Sequence, residues 1–86
     1  MKKKHIILTK HAEERLRERN ITLQQVRYTI SNPDMTLPAW DKKKRVMKDF
    51  GSKCLDVIYR ETESVIVLIT AVWLNEKERF KNAKDR

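Results

Sequence analysis

The sequence predicts an α+β domain: two N-terminal helices packed on an antiparallel sheet of three to four strands, with a short helix at the C-terminus. Three observations predict it. Apolar residues recur at helical spacing as far as residue 31, the period falls to two from residue 44 onward, and "VIVLITAVWL" (65–74) is a β-branched run suited to the centre of a sheet. Eighty-six residues, 40% hydrophobic and 37% charged, make one domain, 1–86, with a single modest core and a heavily charged exterior. A chain of this size has no room for an internal cavity with its own lid, so a site is expected in a surface groove.

"HIIL" (5–8) reads as a short strand, the fourth of the sheet if it joins, feeding a first helix over 10–20. Thr9 is its N-cap, Ala12 and Leu16 form a thin apolar stripe, and Asn20 closes it, because Asn tolerates the left-handed conformation. Thr22 and Gln25 make a capping box for a second helix over 22–31, and Ile21 and Val26 occupy the positions of a hydrophobic staple. Leu23, Val26 and Ile30 carry its apolar face. Asn32 precedes Pro33 and is pushed out of the helical region, so that helix ends near Ser31.

"PDMTLPAWD" (33–41) reads as a loop or a short irregular strand. "KRVMKDF" (44–50) then alternates, with Val46 and Phe50 on one face and Arg45, Met47 and Asp49 on the other. Gly51-Ser52 is a turn, "CLDVIYR" (54–60) alternates again with Leu55, Val57 and Tyr59 on one side, and "ETES" (61–64) is a hairpin loop. Asn75 caps the short charged helix "EKERFKNAKDR".

Twenty Lys and Arg stand against twelve Asp and Glu, a net charge of +8. That excess attracts polyanions without specifying one. The lone Cys54 forms no internal disulfide and suits a reducing cytoplasm. "MKKKHIIL" starts like a signal peptide but has only three apolar residues before polar "TKH", and the ten apolar residues of 65–74 are too few to span a bilayer. With two histidines, no CxxC and no Gly-rich loop, neither a metal nor another cofactor is expected.

"TKHAEERLRERNIT" (9–22) sets His11, Arg15 and Arg19 four residues apart, one ridge about 12 Å long on a helix. Such a ridge grips phosphate with guanidinium forks while the imidazole, which titrates nearest neutrality, moves protons. It is equally an ion-paired solvated face, since Glu13, Glu14 and Glu18 lie close by. Arg15 is also placed to pin the helix to the sheet through strand carbonyls. "DKKKRVMK" (41–48) offers Lys44, Arg45 and Lys48 as backbone contacts, or as a charged strand edge that resists aggregation. Trp40, in a loop beside Pro38, is the aromatic best placed to stack on a base, whereas Tyr59 and Trp73 belong to the core. Lys10 adds charge beside His11.

"KHAEERLRERNI", then "SNP", then an Arg-led strand and "VIVLITAVWL" together resemble the small bacterial family termed domain of unknown function 4258. Its His-Ala-x-x-Arg-x-x-x-Arg-x-Ile motif falls on His11, Ala12, Arg15, Arg19 and Ile21, and Thr70 matches a Thr of the family's last strand. More distantly, two helices followed by "LDVIYRETESVIVLITAVWL" are similar to RelE/ParE-type toxins, many of which cleave RNA without a metal while the ParE branch targets gyrase. The last strand departs from those toxins. "AVWLNEKERF" lacks their His-Arg pair and following Tyr, so the acid or base falls to His11.

The resemblance implies a RelE-like, toxin-type cytoplasmic protein that engages RNA, free or on the ribosome, and is held by an acidic antitoxin protein. His11 is then the general acid or base, Arg15 and Arg19 clamp phosphate, and Lys10, Lys44, Arg45, Lys48 and Trp40 contact the nucleic acid. The alternative is a binding module without catalysis. One version is a helix-turn-helix that reads bases with Gln24, Gln25 and Arg27; the other is a ParE-like inhibitor of a protein target.

Overall fold

The computed structural model describes residues 4–75. The chain runs β1 (His5–Leu8), α1 (Lys10–Glu18), α2 (Leu23–Ser31), β2 (Met35–Leu37), β3 (Lys43–Asp49), β4 (Lys53–Glu61) and β5 (Val65–Asn75). The helix expected over 76–86 lies outside the described residues.

The strands form one sheet in the order β1-β5-β4-β3-β2. It has five strands rather than three or four, because Met35–Leu37, in the stretch read as a loop or irregular strand, pairs with β3. Pro33 and Pro38 bracket this strand, and proline is tolerated at such an edge because the outward N–H has no ladder partner there. The sheet is also mixed rather than antiparallel. From β2 to β5 it is a meander, but β1 lies parallel to β5 in the register Ile6↔Ile66 and Leu8↔Leu68. A parallel neighbour needs a long crossover, and here both helices and the meander intervene.

α1 packs on β5 and β1, and α2 packs on β3 and β4, so both helices cover one face. Ala12 and Leu16 of α1, Val26 of α2 and Ile21 between them meet Val46, Leu55, Val57, Tyr59, Leu68 and Ala71 in the main core. The side expected for Leu55, Val57 and Tyr59 is the helix side. Leu23 departs from the apolar face expected of α2, being 39% exposed, while buried Thr29 donates to the Gln25 carbonyl at 2.9 Å. The opposite sheet face carries Arg45, Cys54 and Asp56, with a smaller cluster of Leu37, Met47 and Cys54 flanked by Met35 and Leu74. No described helix packs there.

The α1–α2 corner follows its sequence closely. Thr9 Oγ1 accepts from the Ala12 N–H at 3.0 Å. Asn20 turns left-handed at φ 54°, and the Ile21 N–H reaches the Leu16 carbonyl at 2.9 Å, a Schellman closure with its apolar pair buried. Thr22 and Gln25 then exchange both bonds of the capping box at 2.9 and 3.0 Å. Asn20→Ala should cost about 1 kcal/mol through the left-handed penalty, whereas Asn20→Gly should be neutral or stabilising. Urea denaturation of the two variants checks the difference; equal destabilisation would contradict the capping role.

Candidate nucleic-acid interface

The ridge of α1 divides. His11 and Arg15 are exposed, and the His11 side chain makes no hydrogen bond or ion pair among the described residues. Arg15 lies 3.4 Å from Glu18, an exposed i,i+3 pair worth a few tenths of a kcal/mol. Arg19 turns inward. Its Nη1 donates to the Ala71 carbonyl at 2.8 Å, and its own carbonyl accepts from Trp73 Nε1 at 3.1 Å. Pinning a helix to a strand carbonyl, a role open to Arg15 from the sequence, is therefore performed by Arg19, because the helix ends at this residue and the chain swings toward β5.

The expected contacts on β3 fall on different faces, as the period of two requires. Lys44 and Lys48 share the helix side with Val46. Arg45 lies on the other face, where its Nε and Nη2 donate to the two Asp56 oxygens at 3.0 and 2.7 Å. Lys44 Nζ donates to Glu61 at 2.8 Å, and Lys4 Nζ donates to the other Glu61 oxygen at 2.8 Å. The hydrogen bonds from Lys4 and Lys44 hold the Glu61 carboxyl below its ordinary range, and Glu61 raises the Lys44 ammonium. Burial pushes the Tyr59 hydroxyl up.

Lys48 reaches Asp34 at 3.3 Å and stands 5.2 Å from the Tyr28 ring centroid. Tyr28, half exposed, meets Phe50 edge-on, Phe50 meets Trp73 edge-on, and Lys53 lies 4.1 Å from the Trp73 centroid. These rings and two lysines make a cationic aromatic ledge beside α2. Each contact is worth about 0.5–1 kcal/mol, and the ring left open to water can stack on a base. Phe50 and Lys48 share a parity on β3, so the strand period contains this ledge. The partnership with Tyr28, across two elements, is what sequence reasoning missed.

Trp40 is 60% exposed at the tip of the β2–β3 hairpin, with Lys43 Nζ 5.0 Å from its ring centroid. Asp41 and Lys42 follow at φ 57° and 61°, and the Lys43 N–H donates to the Trp40 carbonyl at 3.0 Å, a tight turn made without glycine. Among the described residues, no hydrogen bond, ion pair or ring contact joins this tip to the ledge, or either of them to Lys10, His11 or Arg15. The structure thus presents three separate cationic groups rather than one cleft. Of the residues that a helix-turn-helix needs, Gln25 is engaged in the capping box and Arg27 donates to the Lys4 carbonyl at 3.1 Å. Gln24, Arg27, Tyr28, Ser31 and Asn32 line an open depression of ≈ 280 Å³. No group of three or more His, Cys, Asp or Glu able to hold a metal occurs among the described residues, and no described helix is long and apolar enough to cross a membrane.

Two helices on one face of a mixed sheet, with basic and aromatic side chains on the helix side, define a small basic α+β protein. The chain belongs to the family described as a domain of unknown function (DUF4258), whose model matches residues 8–73, the stretch from the end of β1 to Trp73. No curated protein and no solved structure matches the chain significantly.

The lowered Glu61 carboxyl has a consequence for stability. A group whose folded pKa is depressed contributes stability that is present above its unfolded value and is lost as pH falls through the folded value. Glu61 should therefore contribute at neutral pH and cease to contribute below about pH 4, the ordinary range of glutamate. Glu61→Gln should lower stability at pH 7 and leave it nearly unchanged at pH 3, as read by denaturant midpoints. An equal loss at both values would exclude the ion pairs as its source.

Proposed function

We propose that the protein binds RNA through the helix-bearing side of its sheet and is of the RelE-like toxin type, cleaving RNA without a metal. The observation that carries the reading is the exposed His11 in the first turn of α1, engaged by no described side chain and one turn before Arg15. In such a reaction the 2′-hydroxyl attacks the adjacent phosphorus, the bond to the 5′ oxygen breaks, and a 2′,3′-cyclic phosphate forms. His11 takes the hydroxyl proton, Arg15 balances charge building on the phosphoryl oxygens, and the leaving 5′ oxygen takes a proton from solvent.

Lys10 extends the phosphate contact beside His11, Lys48 contributes its charge at the Tyr28 ring, and Trp40 offers a second stacking surface. Lys44 takes part to the extent that Glu61 releases it. Arg19 serves the site by fixing the end of α1, since its guanidinium is committed to Ala71. A net charge of +8 also supports an acidic antitoxin protein as the natural partner.

A second reading, a ParE-like module that inhibits a protein target, draws on the sheet face opposite the helices, where Ile7 is 45% exposed. In that case the α1 residues are dispensable.

Incubating labelled RNA with the protein in EDTA, with and without ribosomes, tests the proposal. Wild type should release fragments. His11→Ala should lose cleavage by roughly 100-fold or more, and Arg15→Ala should weaken binding with a shallower salt dependence. Salt-sensitive binding with no cleavage in either arm would remove the catalytic half of the proposal. No RNA binding at all would remove the whole and favour the protein-target reading.

A further inference from the structure

Gln24, Tyr28 and Ser31 lie at i, i+4 and i+7 on α2 and so share one face, away from Val26 and Thr29, which enter the core. The helix stops beyond this face at Asn32, whose backbone leaves the helical region at φ −136° and ψ 59°. Together with Arg27 these side chains line the open depression of ≈ 280 Å³. That volume stands at the small end of ligand pockets, about 300 Å³, the size for one ring system and not for a docked length of chain.

The lining decides the chemistry. Half-exposed Tyr28 supplies a ring, and the side chains of Gln24, Ser31 and Asn32 make no hydrogen bond or ion pair among the described residues. An amide sets one acceptor beside one donor. Gln24 and Asn32 therefore present two such pairs, about 12 Å apart along α2 at 1.5 Å per residue. Arg27, the cation of the lining, already donates to the Lys4 carbonyl at 3.1 Å. A phosphate calls for cationic donors aimed at it. This depression instead offers a stacking surface and neutral hydrogen-bonding pairs, the complement of a nucleobase.

We propose, resting on the RNA reading above, that the depression receives one unpaired adenine of a single-stranded RNA, stacked on Tyr28 and held at its edges by Gln24 and Asn32. Adenine carries a donor–acceptor pair on each of two edges, its N6 amino group beside N1 and beside N7, so it satisfies both amides. Guanine shows two acceptors, O6 and N7, on the corresponding edge, and these call for a fork of donors such as Arg27, which is engaged. A pyrimidine lacks the second ring and its edge, which leaves one amide without a partner. The base must stand outside a duplex stack, which separates this site from a helix laid in a groove.

Fluorescence anisotropy with the full-length protein and 2′-O-methyl uridine decamers, which lack the nucleophile of cleavage, tests the proposal. A decamer with one central adenine should bind on the order of 10-fold tighter than the all-uridine decamer. Gln24→Ala and Asn32→Ala, with circular dichroism spectra retained, should each remove most of that preference. Equal affinity for the two decamers, tighter binding of a central guanine, or a preference unmoved in both folded variants overturns the adenine site and leaves the RNA reading standing. Absence of binding to every decamer overturns the RNA reading and the adenine site with it. If a variant does not fold, nuclear Overhauser effects between the adenine ring protons and the Tyr28 ring in wild type decide: their presence supports the site and their absence overturns it.

Discussion

The arrangement depends on β5. Among the described strands it alone has a parallel neighbour on one side and an antiparallel neighbour on the other, and it also holds the end of α1. That hold is reciprocal. Arg19 donates to the Ala71 carbonyl, and Trp73 donates to the Arg19 carbonyl, so two residues on one strand grip one helix terminus. A charged donor on a carbonyl is worth about 1.5–3 kcal/mol, a large share of the stability of a domain with so modest a core. The left-handed Asn20 turn directs the chain from this point into α2, so the positions of both helices follow from it.

The same grip decides what the α1 surface can do. Of three cationic residues spaced for one ridge, the last is spent on β5, which leaves His11 and Arg15 facing outward in adjacent turns. A structural arginine next to two outward-facing side chains reconciles the two readings of the ridge, since one motif supplies both a fastening and a surface. Positive charge elsewhere is divided by the strand period: Lys48 goes to the helix side and the Tyr28 ring, while Arg45 goes to the far face and is neutralised by Asp56. The helix side therefore keeps Lys48 beside an open aromatic ring, while Lys43 and Arg60 stand on the far face with Arg45.

Much of this was legible in the sequence because it is local. Thr9, Asn20, Thr22 and Gln25 act within a few residues of themselves, and the alternation of Val46, Leu55 and Val57 needs nothing beyond the pleat. The family could likewise be read from His11 to Ile21. What could not be read is non-local. The parallel pairing of β1 with β5 joins residues about sixty positions apart, and three residues between two prolines give no strand signal until β3 lies alongside. The left-handed Asp41-Lys42 turn lacks the glycine that normally announces it. Spacing placed Arg19 on the ridge, and only the proximity of β5 shows where its guanidinium goes. The ledge of Tyr28, Phe50 and Trp73 brings together residues from three elements for the same reason.

The central claim is that the functional surface is the helix side of the sheet. Mapping amide chemical-shift changes while an oligoribonucleotide is titrated into the labelled full-length protein tests it most directly. The account predicts perturbations concentrated at Lys10, His11, Arg15, Tyr28 and Lys48, weakening as salt rises. Perturbations centred on Ile7, Ile58 and Val67 of the opposite face, with α1 silent, would contradict it.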